Sequence, residues 1–104
     1  MNIITDVSGF EWDEANRNKN WIKHRVSWQE CEEIFFNYPV YSEPDELHSQ
    51  AEERFFALGK TNASRLLVVV FTKRSSAIRV ISARDMNKKE RTMYHEKVEK
   101  DTKV

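Results

Sequence analysis

Three features of this 104-residue chain predict an α+β fold: helical patterns crowd its first third, strand patterns follow with short connections, and capping residues mark the helix starts. Strands joined so closely pair antiparallel, so the expectation is a small antiparallel sheet of three to five strands, with two N-terminal helices and one C-terminal helix. The length suits one domain over residues 1–104 with one modest core at about 10–98, the ends being loosely held.

Taken in order, Phe10-Glu11-Trp12 alternates apolar and charged residues, as a short strand does. Asp13 can cap a following helix, Glu14 suits its positive end, and Lys23, His24 and Arg25 suit its negative end. A helix is therefore expected over about 14–24, with Ala15, Asn18, Trp21 and Ile22 lining one face. Ser27-Trp28-Gln29-Glu30 is a capping box that opens a second helix, with Val26 and Cys31 flanking it at staple spacing. Cys31, Ile34 and Phe35 form its apolar stripe, and Asn37-Tyr38-Pro39 stops it.

The period then changes. Val40 to Glu43 reads as a short edge strand ending at Pro44, and residues 44–52 as an acidic surface loop. Arg54 to Leu58 is a strand with Gly59 to Ser64 as its turn. Arg65 to Thr72 is apolar on both faces and is expected to be the central strand, covered on both sides. Lys73 to Ser76 makes a short hairpin connection without glycine, and Ala77 to Arg84 is the next strand. Asn87-Lys88-Lys89-Glu90 opens a last helix through about Val98, with Met93, Tyr94 and Val98 as its apolar contacts.

The zero net charge conceals a polarity. Residues 1–53 carry four bases against twelve acids, a net of −8, and residues 54–104 carry thirteen bases against five acids, a net of +8. Such a chain can present a basic surface to a polyanion, or its halves can face and neutralise each other across the fold. The single cysteine excludes an internal disulfide framework and suits a reducing cytosol. No apolar run reaches the roughly 18 residues of a membrane span, and the N-terminus lacks the basic and apolar regions of a signal peptide. A soluble, cytoplasmic protein is expected.

Two glycines cannot supply a phosphate loop or a dinucleotide fingerprint. One cysteine and three scattered histidines match no familiar zinc spacing, and no serine sits in a nucleophile elbow. No cofactor and no metal are therefore expected. The positive signal is arginine. Arg79 interrupts an apolar strand, Arg84 ends it, and Arg54 begins another strand expected nearby. Three guanidiniums converging at strand ends would make a forked receptor for phosphate. The structural alternative is that Glu52, Glu53 or Asp85 pairs with them. Lys23 and His24, at a helix end beside the capping box, form a second candidate site, histidine being able to shuttle protons near neutral pH. The alternative there is a helix cap or a plain surface pair. Lys88, Lys89 and Arg91 form a solvated face or one that touches a nucleic-acid backbone.

Phe10-Glu11-Trp12-Asp13-Glu14, Asn20, Lys23-His24 and Val26-Ser27 together resemble the opening of BrnT-family toxins. The resemblance continues through His48-Ser49, Glu52-Glu53-Arg54-Phe55 and Gly59. It resumes with Leu67 to Thr72 and Ile78 to Arg84, and closes with Glu90-Arg91 and Tyr94, so that it spans roughly residues 10–94 in family order. It implies a RelE-like fold and a ribonuclease that needs no metal, the toxin of a type II toxin–antitoxin pair. The implied partner is a BrnA-like antitoxin, which binds operator DNA, so that DNA is reached only through the antitoxin. Carried over by position, Lys23, His24, Glu53, Arg54, Arg79 and Arg84 are the implied active-cleft residues. The family usually has glycine after the Lys-His pair, where this chain has Arg25; glycine would allow a left-handed helix end.

The implied chemistry is attack of a ribose 2′-hydroxyl on its neighbouring phosphate in an RNA substrate. His24 or Glu53 would take the proton, and the arginines would stabilise the growing charge. A toxin-like module that binds an antitoxin without cleaving RNA, and a scaffold whose arginines only make ion pairs, are the alternative expectations.

Overall fold

The computed structural model describes residues 8–45 and 52–102. The central part of the expected acidic loop, with His48, lies outside the described residues. Five strands form one sheet: β1 (Gly9–Glu11), β2 (Tyr41–Pro44), β3 (Arg54–Lys60), β4 (Leu66–Arg74) and β5 (Ala77–Asp85), in the order β1-β5-β4-β3-β2. The helices are α1 (Glu14–His24), α2 (Trp28–Glu33) and α3 (Lys88–Thr102). The mixed α+β class and the two-plus-one helix arrangement are those expected. Four strands are antiparallel in a continuous meander, and β1 joins β5 in parallel, with Glu11 opposite Arg79. A connection through most of the chain separates those two, so the short-loop argument for antiparallel pairing does not reach them.

β4 lies at the centre and is covered on both faces, as its apolar run requires. Leu67, Val69 and Phe71 meet Val26, Cys31, Ile34 and Phe35 from the α2 region, and Phe71 stacks on Phe55 at 5.6 Å between ring centres. On the other face Val68 and Leu58 pack under α3 with Met86 and Tyr94. Tyr94 also donates from its hydroxyl to Pro39 O at 2.7 Å, which ties α3 to the segment entering β2. The α2 capping box is present in both directions, Glu30 N–H to Ser27 Oγ at 3.1 Å and Ser27 N–H to Glu30 Oε1 at 3.0 Å. Helix α2 closes at Glu33, before Ile34 and Phe35, yet both of those side chains are buried.

Gly59 lies inside β3 rather than in its turn. A Cβ there would sit 3.0 Å from Ile34 Cβ and 3.2 Å from Ile34 O, so its absence lets the end of α2 lie directly on the sheet. A register shift between Val70 and Phe71 leaves Ile81 of β5 without a partner in β4.

Helix α1 overturns one expectation. Ala15, Asn18, Trp21 and Ile22 are all exposed, Trp21 by 48% and Ile22 by 74%. The inward face is polar instead. Asn20, 2% exposed, accepts from Ala83 N–H at 3.0 Å, and Lys19 Nζ donates to Ile81 O at 3.3 Å. The cause is topological. β1 covers β5 only at Ala77 to Arg79, and α1 runs beside the rest of that edge, whose backbone groups need polar partners.

Candidate functional site

Register builds the first cluster. Arg54 pairs with Thr72, Thr72 with Arg79, and Arg79 with Glu11, so these four residues form a row across β3, β4, β5 and β1 on one face of the sheet. Leu58 and Val68, on the same face, lie under α3, which covers the opposite end. Arg79 donates from Nη2 to Asp13 Oδ2 at 2.9 Å, and its Nη1 is 4.0 Å from Glu11 Oε1. Asp13 therefore has two tasks, because its Oδ1 caps α1 by accepting from Asn16 N–H at 2.7 Å. Arg74, two residues beyond Thr72, donates to Glu52 at 2.9 Å, and these bonds hold the Glu52 carboxyl below its ordinary range. Within the row, Thr72 is 1% exposed and its hydroxyl is buried. Glu53 is exposed at the entrance to β3.

The second cluster occupies the other end of β5. Arg65, just ahead of β4, donates to Asp85 at 2.7 and 3.0 Å and to Glu30 at 3.2 Å, and also to the carbonyls of Arg25 at 2.8 Å and His24 at 3.3 Å. One side chain thus ties the end of α1, the start of α2 and the end of β5 together. The Arg65 hydrogen bonds hold the Asp85 carboxyl below its ordinary range; burial pushes Glu30 up, but the Ser27 amide and Arg65 outweigh it. Arg84 makes a two-pronged pair with Glu90 at 2.8 and 2.9 Å, while Glu90 and Asn87 cap α3 reciprocally. Lys23, His24 and Arg25 are exposed at the end of α1.

The six expected site residues therefore separate. Glu53, Arg54 and Arg79 gather at one end of the sheet, and Lys23, His24 and Arg84 at the other. Arg79 and Arg84 are five positions apart on β5, roughly 16 Å at about 3.3 Å per residue, so the three guanidiniums do not converge on one anion. The carboxylates that bond Arg79 and Arg84 are those of Asp13, Glu11 and Glu90, while Asp85 meets Arg84 only through its carbonyl, at 3.1 Å. Glu52 pairs with Arg74 and Asp85 with Arg65, two arginines the sequence reading did not single out. Thr72 was also missed; its only signal was a polar residue closing an apolar run. The −8 and +8 halves meet through Glu30–Arg65, Glu52–Arg74 and Asp13–Arg79, so much of the polarity is consumed inside the fold. Among the described residues, no group of three or more His, Cys, Asp or Glu is placed to hold a metal ion, and no helix is long and apolar enough to cross a membrane.

A five-stranded mixed sheet with helices on both faces, two arginines sharing one face at one end beside carboxylates, defines a small α+β protein. The sequence profile described as "Ribonuclease toxin, BrnT, of type II toxin-antitoxin system" matches residues 12–90, and the chain belongs to that family. The crystal structure of the Brucella abortus ribonuclease toxin BrnT is similar, with a TM-score of 0.59 and 26% identity, covering 77% of this chain and 97% of that one. No curated protein matches by sequence.

Proposed function

We propose that this protein is a metal-independent endoribonuclease that cleaves RNA as the toxin of its type II pair, with Arg54 and Arg79 as the receptor for the scissile phosphate. One observation carries the reading: two guanidinium-bearing side chains project from the same face, one strand apart on either side of the buried Thr72, at the end of the sheet α3 leaves uncovered. Forked N–H donors match phosphate oxygens, and their charge stabilises the oxyanions that grow as the 2′-hydroxyl attacks. Arg79 is held by exposed carboxylates that can exchange for phosphate and return to water, Asp13 being 47% and Glu11 45% exposed.

Glu53 stands beside Arg54 and is the base we assign to the 2′-hydroxyl proton. His24 lies at the far end of α1, so its role is in contacting the RNA strand rather than in the proton transfer. The antitoxin partner is BrnA-like and covers the Arg54–Arg79 end, by charge pairing and by steric exclusion; operator DNA is reached through it. The test is Arg79→Ala. Its partners stay solvated, so the variant should fold and lose RNA cleavage by about 100-fold or more. An Arg79→Ala protein that unfolds, or that cleaves RNA as the wild type does, overturns the assignment.

A further inference from the structure

Helix α1 carries an exposed face that the fold does not use. Arg17 and Trp21 lie one turn apart, with Arg25 just beyond the helix end. The Arg25 guanidinium carbon sits 5.3 Å from the centre of the Trp21 ring, and that of Arg17 sits 4.9 Å from the centre of the Trp28 ring. Two indole–guanidinium contacts thus lie along α1, one on the exposed Trp21 and one on the half-buried Trp28 of α2. Of the four bases in residues 14–25, Arg17 and Arg25 stand on this face with the acid Glu14, while Lys19 turns inward to Ile81 O. The acids of neighbouring α2 are committed elsewhere: Glu30 to Arg65, Glu32 to Trp12 Nε1 at 2.8 Å, and Glu33 to Asn62 N–H at 2.9 Å. On the helix itself Arg17 and Arg25 outnumber Glu14, although the half of the chain that builds this face is acidic. The helix also begins at Asp13, which touches Arg79, and runs roughly 16 Å to the Lys23-His24 end.

The geometry points to the outer face of α1 as a track for single-stranded RNA leading from the Arg54–Arg79 receptor, with Trp21 and Trp28 as stacking platforms for bases and Arg17, Lys23 and Arg25 following the backbone. A base has a π-face whatever its identity, and an exposed indole backed by guanidinium binds it without sequence preference. An acidic protein segment would also feel the charge, but it has no use for paired aromatic planes. The inference rests on the ribonuclease reading only in naming RNA as the ligand and Arg79 as the start of the track.

The experiment measures fluorescence anisotropy of a short labelled single-stranded RNA with 2′-O-methyl riboses, which cannot be cleaved by 2′-hydroxyl attack, at about 50 mM salt. Trp21→Ala should weaken binding about tenfold, and Trp21→Phe should restore most of it. Trp21 is largely solvated, so its circular dichroism should match the wild type. Ile22→Ala, which removes exposed apolar surface without a π-face, should bind as the wild type does. Trp21→Ala within twofold of wild type overturns the track, as does an equal loss in Ile22→Ala, which would mark a protein-docking surface. Cleavage of the unmodified RNA is scored in parallel. Binding through Trp21 without cleavage would sink the ribonuclease reading alone, and cleavage indifferent to Trp21 would sink the track alone.

Discussion

Arg65→Met removes the side chain that ties α1, α2 and β5 together while keeping its apolar stem. Three contributions are lost. The two bonds to Asp85 are short, but that side chain is 59% exposed, and such pairs contribute about 0.5 kcal/mol. Glu30 is 25% exposed, and losing its charged partner costs about 1 to 1.5 kcal/mol. The carbonyls of His24 and Arg25, at the negative end of α1, contribute roughly 0.5 to 1 kcal/mol more. The total is about 2 to 3 kcal/mol, a fall in Tm of roughly 10 to 20 °C for a domain of this size. Chemical denaturation at neutral pH, read by circular dichroism, measures it. The pH dependence follows from the same contacts. Both carboxyls are held below their ordinary values of 4.5 for Glu30 and 3.8 for Asp85, so the stability they confer is complete above those values and is lost as pH falls through the depressed ones. The gap between wild type and Arg65→Met should therefore be full at neutral pH and narrow in acid to the part due to the carbonyls. A gap under about 0.5 kcal/mol at neutral pH would refute the brace, since exposed pairs alone would give that much. A gap that does not narrow in acid would show that the carboxylates are not its source.

Gly59→Ala should destabilise by about 1 to 3 kcal/mol, because its methyl meets Ile34 Cβ at 3.0 Å and Val40 Cγ2 at 3.3 Å; thermal melts check this. Arg25→Gly should stabilise by about 0.5 to 1 kcal/mol, since Arg25 holds φ 55° and ψ 37° at the left-handed end of α1, yet the same change should weaken RNA binding by removing the guanidinium over Trp21. RNA affinity should fall steeply with salt. With about four phosphate contacts, from Arg54, Arg79, Arg17 and Arg25, it drops roughly 50-fold between about 50 and 200 mM, and a flat response would contradict electrostatic binding. Adding the antitoxin should slow hydrogen exchange in β3 and β5, and protection confined to residues 14–36 would place it elsewhere.

Local rules carried much of this protein. The Ser27–Glu30 box, the Asp13 cap and the α1 bounds depend on neighbours within four residues, and each is found where the residues put it. The Arg65–Thr72 run announced a strand buried on both faces, and arginines set in or at the ends of apolar strands brought Arg54 and Arg79 forward before any register was known. What the sequence did not contain was the order of strands. Pairing β1 with β5 is a choice between segments some 68 residues apart, and it sets everything that distinguishes the site. It puts Glu11 and Asp13 on Arg79, and it leaves the far part of the β5 edge for α1 to cap with Lys19 and Asn20. That need turns the polar side of α1 inward and leaves Trp21 and Ile22 in water, the reverse of what hydrophobic periodicity implies. It also divides one expected arginine cluster into two, because residues on a single strand are held apart by its fixed rise, whereas residues on paired strands are brought together whatever their separation along the chain.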